Sequence, residues 1–424
     1  MNLLTHFDKF AKQNPAPEPE VQALREKALE FLNVKGLPTR KDEDWKYTSV
    51  KVLNDETFVP TEFNELNPSP ETMRRIQEKL NPAFINIVFC NGVLNKTLSA
   101  LETLPTGVKL KQDKELTARD FKDSFEALST VYFTKNYKLE ISAGTAVDKV
   151  VNMVFYSSLE GGPAVMINPR FALKLGKHSS LKFVESYFGQ KEARYFVNSQ
   201  VQIEVGEAAK LTAIRVQEDS QRAIHMGRTT FHLDKAAHLH SLVFSTGALL
   251  SRHNLEMELK AVEVFATVDG VYLAKGHQHV DNTTLLDHQV GACSTTQHYK
   301  GILAGASRGV FNGKVIIRPG ALKANSEQLN NNLLLSREAE ADSKPQLEVY
   351  ADDVKAAHGS TVGQLDREEL FYLESRGISP QTAIPMMSFG YASELIYKLE
   401  NEELQNWLNG ELREAFTGLD MAVK

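Results

Sequence analysis

From about residue 137 onward apolar and polar positions alternate, and the alternation repeats. Phe171, Leu173 and Leu175 alternate with polar neighbours; thirty positions on stand Val201, Ile203 and Val205, and thirty beyond these Phe231 and Leu233, with Lys235 in the third place. A second set keeps the spacing: Leu181 and Phe183, then Leu211 and Ala213, then Ser241 and Val243. Short small-residue or polar stretches at 176–180, 206–210 and 234–238 separate the sets, so each copy reads as strand, corner, strand. A fixed period in strand-like sequence predicts a solenoid, because each unit buries its inward face only by stacking on the next. Parallel coils fit the constant offset and the short strands; a sandwich of evenly spaced hairpins is the competing arrangement. Strand patterning continues through 255–264, 310–317 and 347–350, which carries the stack to about residue 358.

Helical spacing takes over on either side. Val21, Leu24, Ala28, Phe31 and Leu32 predict an amphipathic helix over 18–32, ended by Gly36 and Pro38. Pro60, Pro68, Pro70 and Pro82 punctuate the next stretch, and 84–90 reads as a strand before the turn pair Asn91-Gly92. Beyond the repeat, Asp366 and Glu369 have capping-box spacing ahead of Leu370, Phe371 and Leu373, and Gly377 supplies a stop. Ser379-Pro380 reads as an N-cap with proline at the first helical position, leading into 384–399, and 402–416 is amphipathic. The expected organisation is mainly β with helical flanks: a mainly helical region 1–130, a parallel β-helix core 131–358 and a helical domain 359–424.

Composition then narrows the function classes. With 42% hydrophobic and 24% charged residues among 424, the chain reads as soluble, and no stretch approaches the roughly 20 apolar residues that span a bilayer. The first ten residues have neither the basic start nor the apolar run of an export signal, so a cytoplasmic location is expected. A formal net charge of -6 argues against unaided nucleic-acid binding. Cys90 and Cys293 are too few for a disulfide framework or a cysteine-based zinc site. There is no phosphate-cradling glycine loop, dinucleotide fingerprint or nucleophile elbow, so any ATP is bound by a partner. His277, His279, His288 and His298 around Cys293 invite a zinc or iron site, but their spacing fits no standard ligand set, the segment falls where a solenoid has corners and coil-to-coil ladders, and hydrogen bonding to neighbouring backbone is the expected role. The runs 281–284 and 330–332 read similarly, as corner residues and side-chain amide ladders.

The second half carries a denser set of motifs. Val310-Phe311-Asn312-Gly313-Lys314-Val315, Asn325-Ser326-Glu327-Gln328 with 332–336, the long run 344–355, His358-Gly359-Ser360-Thr361-Val362-Gly363, Asp366 and 370–377 together resemble the SufB/SufD family of iron-sulfur cluster assembly. Gln278-His279-Val280-Asp281-Asn282, Tyr299-Lys300-Gly301-Ile302-Leu303 and Asp44-Trp45-Lys46-Tyr47-Thr48 resemble its SufD members. The resemblance covers nearly the whole chain, most tightly 276–378. It implies a right-handed parallel β-helix core in a non-catalytic subunit that pairs through that core with SufB, while the C-terminal helical domain docks the SufC ATPase. ATP then enters through SufC, sulfur reaches SufB from a separate donor system, and the nascent cluster forms near the SufB/SufD interface.

Two sets of residues follow from the resemblance. His358 stands where SufD members offer a histidine at that interface and is the candidate iron or cluster ligand, neutral imidazole being a reasonable iron donor. Many relatives carry a cysteine two residues earlier; here Ala356 stands there, so no thiolate is expected from this subunit. The segment 328–332 lacks the cysteine of SufB members, which favours the SufD side of the family. Leu370, Phe371, Leu373 and Arg376 are the candidate SufC-docking face, with packing of the helical tail on the core as the alternative use of its apolar stripe. No cofactor is expected on this chain alone. Reduced flavin in the assembled complex and a homodimer without SufB stay open, as do a β-helix enzyme acting on polysaccharide and a scaffold that never touches metal.

Overall fold

The computed structural model describes residues 2–16, 18–61, 68–113, 120–133, 135–159 and 162–417. Its core is a parallel β-solenoid of two facing sheets. One sheet stacks, in order, Asn136–Ile141, Arg170–Leu175, Tyr195–Val205, Ile224–Leu233, Leu250–Leu259, His279–His288, Arg308–Ile317 and Glu340–Val349. The other stacks Ile85–Cys90, Val151–Ser157, Ser180–Gly189, Lys210–Glu218, His238–Ser245, Phe265–Ala274, Ser294–Leu303, Asn325–Leu334 and Lys355–Gly363. The chain changes sheet at every corner, so each strand pairs with the strand one coil away. Strands upstream of residue 131 belong to this stack: Ile85–Cys90 pairs parallel with Val151–Ser157, and Val108–Asp113 caps Asn136–Ile141 antiparallel. At the other end the last strand, Lys355–Gly363, runs past residue 358.

The thirty-residue period holds for one coil and then shortens. Phe171, Leu173 and Leu175 lie opposite Val201, Ile203 and Val205, but Val201 faces Thr229, Ile203 faces Phe231 and Val205 faces Leu233. Thr229 therefore fills the third inward place, and Lys235 sits in the turn beyond the strand. The same slip puts Ser241 opposite Ala213 and Leu239 opposite Leu211. Its cause is one corner: eight positions separate Phe188 from Phe196, whereas six separate their partners Glu218 and Ile224. A two-residue deletion preserves the inward and outward faces, because strand side chains alternate with period two.

The other row of corners has a uniform geometry. Gly144, His178, Ala208, Ala236, Ala292 and Lys323 all have positive φ, 53–59° at the four residues Ala208, Ala236, Ala292 and Lys323. The backbone N–H of each donates to a carbonyl of the next coil: His178 to Glu207 at 2.9 Å, Ala208 to Lys235 at 2.9 Å, Ala292 to Leu322 at 2.9 Å. The left-handed flip turns that N–H along the solenoid axis, and the bond offsets the cost of a Cβ in this region. The runs 281–284 and 330–332 are not corners; they lie inside strands.

Inward side chains form one continuous apolar core, with Phe89, Phe155 and Tyr187 stacked at centroid spacings of 4.9 Å. Two outward patches are also apolar, and each is covered by helices. Helices α1 (Phe7–Gln13), α2 (Pro19–Lys35) and α4 (Ser124–Val131) supply Phe10, Ala28, Leu32, Phe125 and Leu128 against Phe196, Ile224, Met226 and Leu250 of the first sheet. On the second sheet α3 (Pro70–Lys79) places Ile76 over Val88 and Val154. Beyond it, α6 (Pro380–Ile396) and α7 (Glu402–Phe416) cover Ile214, Leu242, Val271 and Ile302 with Leu395, Leu404, Leu408 and Leu412. Between α6 and the last strand stands α5 (Arg367–Ser375). The segment 44–48 is a strap over the first sheet: Trp45 lies under the Arg252 guanidinium at 4.0 Å, and the Thr48 hydroxyl meets Asp281 and, at 3.0 Å, His279.

Large and small residues alternate down the inner face. Tyr299 lies opposite Gly270 and Tyr272 opposite Gly301, and a Cβ on Gly270 would stand 2.2 Å from the Tyr299 ring. Gly270→Ala is expected to destabilise the solenoid by about 1–3 kcal/mol through overpacking, read as an earlier midpoint in urea unfolding.

Candidate functional site

The solenoid is closed at its start and open at its end. Among the described residues the final pair of strands, Glu340–Val349 and Lys355–Gly363, has no further strand on its outer edges. His358 lies here, in register with Gln328, which is in register with Gln297. Gln328 and Gln297 are fully buried inside the coils, whereas His358 belongs to the same column but is exposed because no coil follows it. Beneath it the amides form a chain: Gln328 Nε2 donates to Gln297 Oε1 at 2.6 Å, and Gln297 Nε2 donates to the Thr284 hydroxyl at 2.7 Å. Ala356, two residues from His358, packs its methyl against the inner core. Ser360 donates to Ser343 at 2.8 Å across the last coil. The end thus offers one imidazole on an unpaired strand edge.

The docking candidates lie on the next element. Asp366 caps α5, accepting from the N–H of Glu368 at 2.7 Å and of Glu369, and Gly377 closes the helix at φ 85°. No residue of α5 is buried. Leu370 and Leu373 are half-buried, Phe371 is 70% exposed, and the Arg376 guanidinium lies 5.2 Å from the ring of Tyr372, itself 57% exposed. A helix with Phe371 and Tyr372 in water leaves apolar surface that its own core does not use. His358 and α5 are thus successive features at the same end of the chain's β core.

The histidine group does not converge. His279 is bonded to Thr48, His288 to Thr295 and His298 to Asn331, His277 is exposed at a corner, and the Cys293 thiol points into the core toward the Ala261 carbonyl. Among the described residues no three His, Cys, Asp or Glu side chains are grouped to hold a metal ion. Of the three histidine contacts only His298–Asn331 joins neighbouring coils; His288 meets Thr295 across one corner and His279 reaches the segment 44–48, so these three bond to side chains and not to neighbouring backbone.

A buried polar network inside the solenoid escaped the sequence reading. Ser199 Oγ is 3.2 Å from His225 Nε2, and His225 Nδ1 is 2.7 Å from Asp219, an arrangement with the connectivity of a hydrolase triad. It cannot act as one. Arg215 donates to the same Nε2 at 2.6 Å, which occupies the lone pair a general base needs, and Ser199, Arg215, Asp219 and His225 are all buried. Arg215 is in turn 3.3 Å from Glu185 and 4.3 Å from the ring of Tyr187. The adjoining cavity, lined by Glu185, Arg215 and His253, measures about 10 Å³, room for no more than a water. One signal existed in the sequence: Glu185 and Arg215 occupy inward places thirty positions apart, where the pattern otherwise calls for apolar residues.

Two family descriptions cover the chain: "SufBD protein N-terminal region" matches residues 2–153, and "SUF system FeS cluster assembly, SufBD core domain" matches 157–391. The chain thus belongs to the SufBD family of iron-sulfur cluster assembly proteins, and it carries the family's two regions on a β-solenoid with helical flanks. Within it the chain is SufD-like. It is 30% identical to the iron-sulfur cluster assembly protein SufD of Escherichia coli over 92% of each chain. It is 29% identical to a SufBD family protein of Synechocystis, covering 91% of this chain and 88% of that one. It is 27% identical to the chloroplastic protein ABCI7 of Arabidopsis thaliana, covering 96% and 88%. No helix among the described residues is long and apolar enough to cross a membrane.

Burial holds His225, His253, His279, His288 and His298 below the ordinary imidazole pKa, His288 at about 4. A group whose folded pKa is depressed binds its proton more readily when unfolded, so each such histidine removes stability as the pH falls below about 6.5. Stability is expected to decline between pH 6.5 and 4, and His288→Asn to remove up to about 3 kcal/mol of that decline, measured by urea titrations across the range.

Proposed function

We propose that this chain is the SufD subunit of a cytoplasmic SufB, SufC and SufD assembly, without catalytic turnover of its own. It pairs with SufB through the open end of its solenoid and receives the SufC ATPase on α5. His358 meets iron or the nascent cluster, the assembly's cargo, at the SufB junction. The observation that carries this reading is the uncapped last coil: two strand edges with free backbone groups and, in the same column as the buried amides, one exposed imidazole. Unpaired edges are templates for another sheet, and a SufB solenoid supplies one; a second copy of this chain is the natural occupant when SufB is absent. Neutral imidazole suits iron, and with Ala356 in place of a cysteine any thiolate comes from SufB. Phe371 with its half-buried neighbours Leu370 and Leu373, flanked by Arg376, has the aromatic, aliphatic and arginine make-up of an interface centre.

Co-expression with SufB and SufC, anaerobic purification and assay of subunit ratio, iron, sulfide and ATPase activity tests this. His358→Ala is expected to leave the complex intact and lower its iron and sulfide several-fold; unchanged cluster content would instead make this subunit a scaffold without metal contact. Phe371→Glu is expected to weaken SufC retention at least tenfold, by about 1.4 kcal/mol or more, with the melting curve of the isolated chain unchanged because the side chain lies in water.

A further inference from the structure

Helix α7 rests on the solenoid through Leu404, Leu408 and Leu412, and Trp407 packs edge-on against Phe84 with centroids 5.3 Å apart. Beside this apolar seam lies a cavity of about 940 Å³ between α3, α7 and the corners of several coils. One cluster in its wall sets a single ammonium among three carboxyl groups. Lys79, at the end of α3, has its Nζ 2.9 Å from Glu411 and 2.9 Å from Glu414, both on α7, and 3.6 Å from Glu218, at the end of the strand Lys210–Glu218. The side chains of Glu218 and Glu411 are only 16% and 12% exposed, whereas Glu414 stands at the rim. Glu218 and Glu411 also lie against each other within hydrogen-bonding reach. Two nearly dry carboxylates in contact repel, and a single lysine shared with a third carboxylate does not neutralise both.

We infer that a proton held between Glu218 and Glu411 latches α7 to the solenoid, and that losing this proton loosens the seam. The inference stands on the seam itself and does not depend on which partner α5 receives.

The surrounding charges agree. Burial, then the Glu411 carboxylate, raises the Glu218 carboxyl to about 8. Burial pushes Lys79 down, but Glu218 and Glu411 more than restore it, so it stays charged; Lys79 in turn holds Glu414 below its ordinary value. The other charged groups on the cavity wall are Arg74, Arg75 and Glu78 of α3, Lys191 and Glu192 of one corner, Asp219 of another, and Lys275. Arg74 is paired with Glu78 and Arg75 with Glu71, Asp219 is turned inward to His225, and Lys191 acts on Glu414. A carboxyl whose folded pKa is raised favours the fold in its protonated form. The latch is therefore complete at low pH, weakens as the pH rises from the ordinary carboxylate range to about 8, and is lost above that.

Hydrogen exchange of the full chain between pH 6.5 and 9, corrected for intrinsic exchange, tests the latch. In the unmodified protein the opening of α7 is expected to rise about tenfold across this range. In Glu218→Gln, which can still donate to Glu411 but cannot ionise, it is expected to stay flat; Glu411→Gln gives the same result by removing the repulsion. Leu408→Ala, which loosens the apolar seam alone, raises opening equally at every pH. A flat profile in the unmodified protein, or an unchanged rise in both glutamine variants, overturns the inference.

Discussion

Each coil of this protein is held by the backbone of the coils before and after it. Strand ladders do this along the two faces, and the left-handed corner residues do it at the edge, where His178, Ala208, Ala236, Ala292 and Lys323 direct their N–H groups along the axis. Every peptide in the stack is satisfied only while a neighbour is present. The start of the stack meets this demand internally, through the antiparallel strand Val108–Asp113. Among the described residues the end does not, and this incomplete layer is the one that carries the candidate His358.

The helical flanks answer a second demand. Most outward residues of the strands are polar and face water, but Phe196, Met226 and Leu250 on one sheet and Ile214, Leu242 and Val271 on the other are not. These patches fix where α1, α2 and α4 and where α6 and α7 settle. Helix α5, with no buried residue, is carried between the last strand and α6 without an outward patch of its own. The division of labour among the C-terminal helices is thus visible in their burial: two are structural, and one presents its apolar side chains outward.

Much of this was legible from the residues. Alternation at 171–175, 181–183, 201–205 and 211–213 defined inward faces because period-two side-chain placement survives any corner length. The third copy was misaligned by two, since a corner shortened by two residues keeps the same parity and leaves no trace in an alternation pattern. Helix ends at Asp366, Gly377 and Ser379-Pro380 were readable because caps are local. The Asp44–Thr48 strap stands out as a motif, yet its partners Arg252, His279 and Asp281 lie some two hundred residues away, beyond any local signal. The charged interior of Glu185, Arg215, Asp219 and His225 hid for a related reason: polar residues at inward places break the pattern that identifies a strand, so they read as noise. The Lys79 cluster joins residues separated by more than three hundred positions and had no sequence signature at all.

The amide chain beneath the open end has an electrical consequence. Gln328 Nε2 donates back along the stack to Gln297, and Gln297 Nε2 donates across its own coil to Thr284, so neither amide directs its bonded donor toward the open end. The last oxygen of the series, Gln328 Oε1, is buried and has no hydrogen-bond donor among the described residues. Gln328 lies one coil below His358, in the same column. The buried amides beneath His358 therefore direct their bonded donors into the stack, and the polarity they leave toward the open end is that of an acceptor.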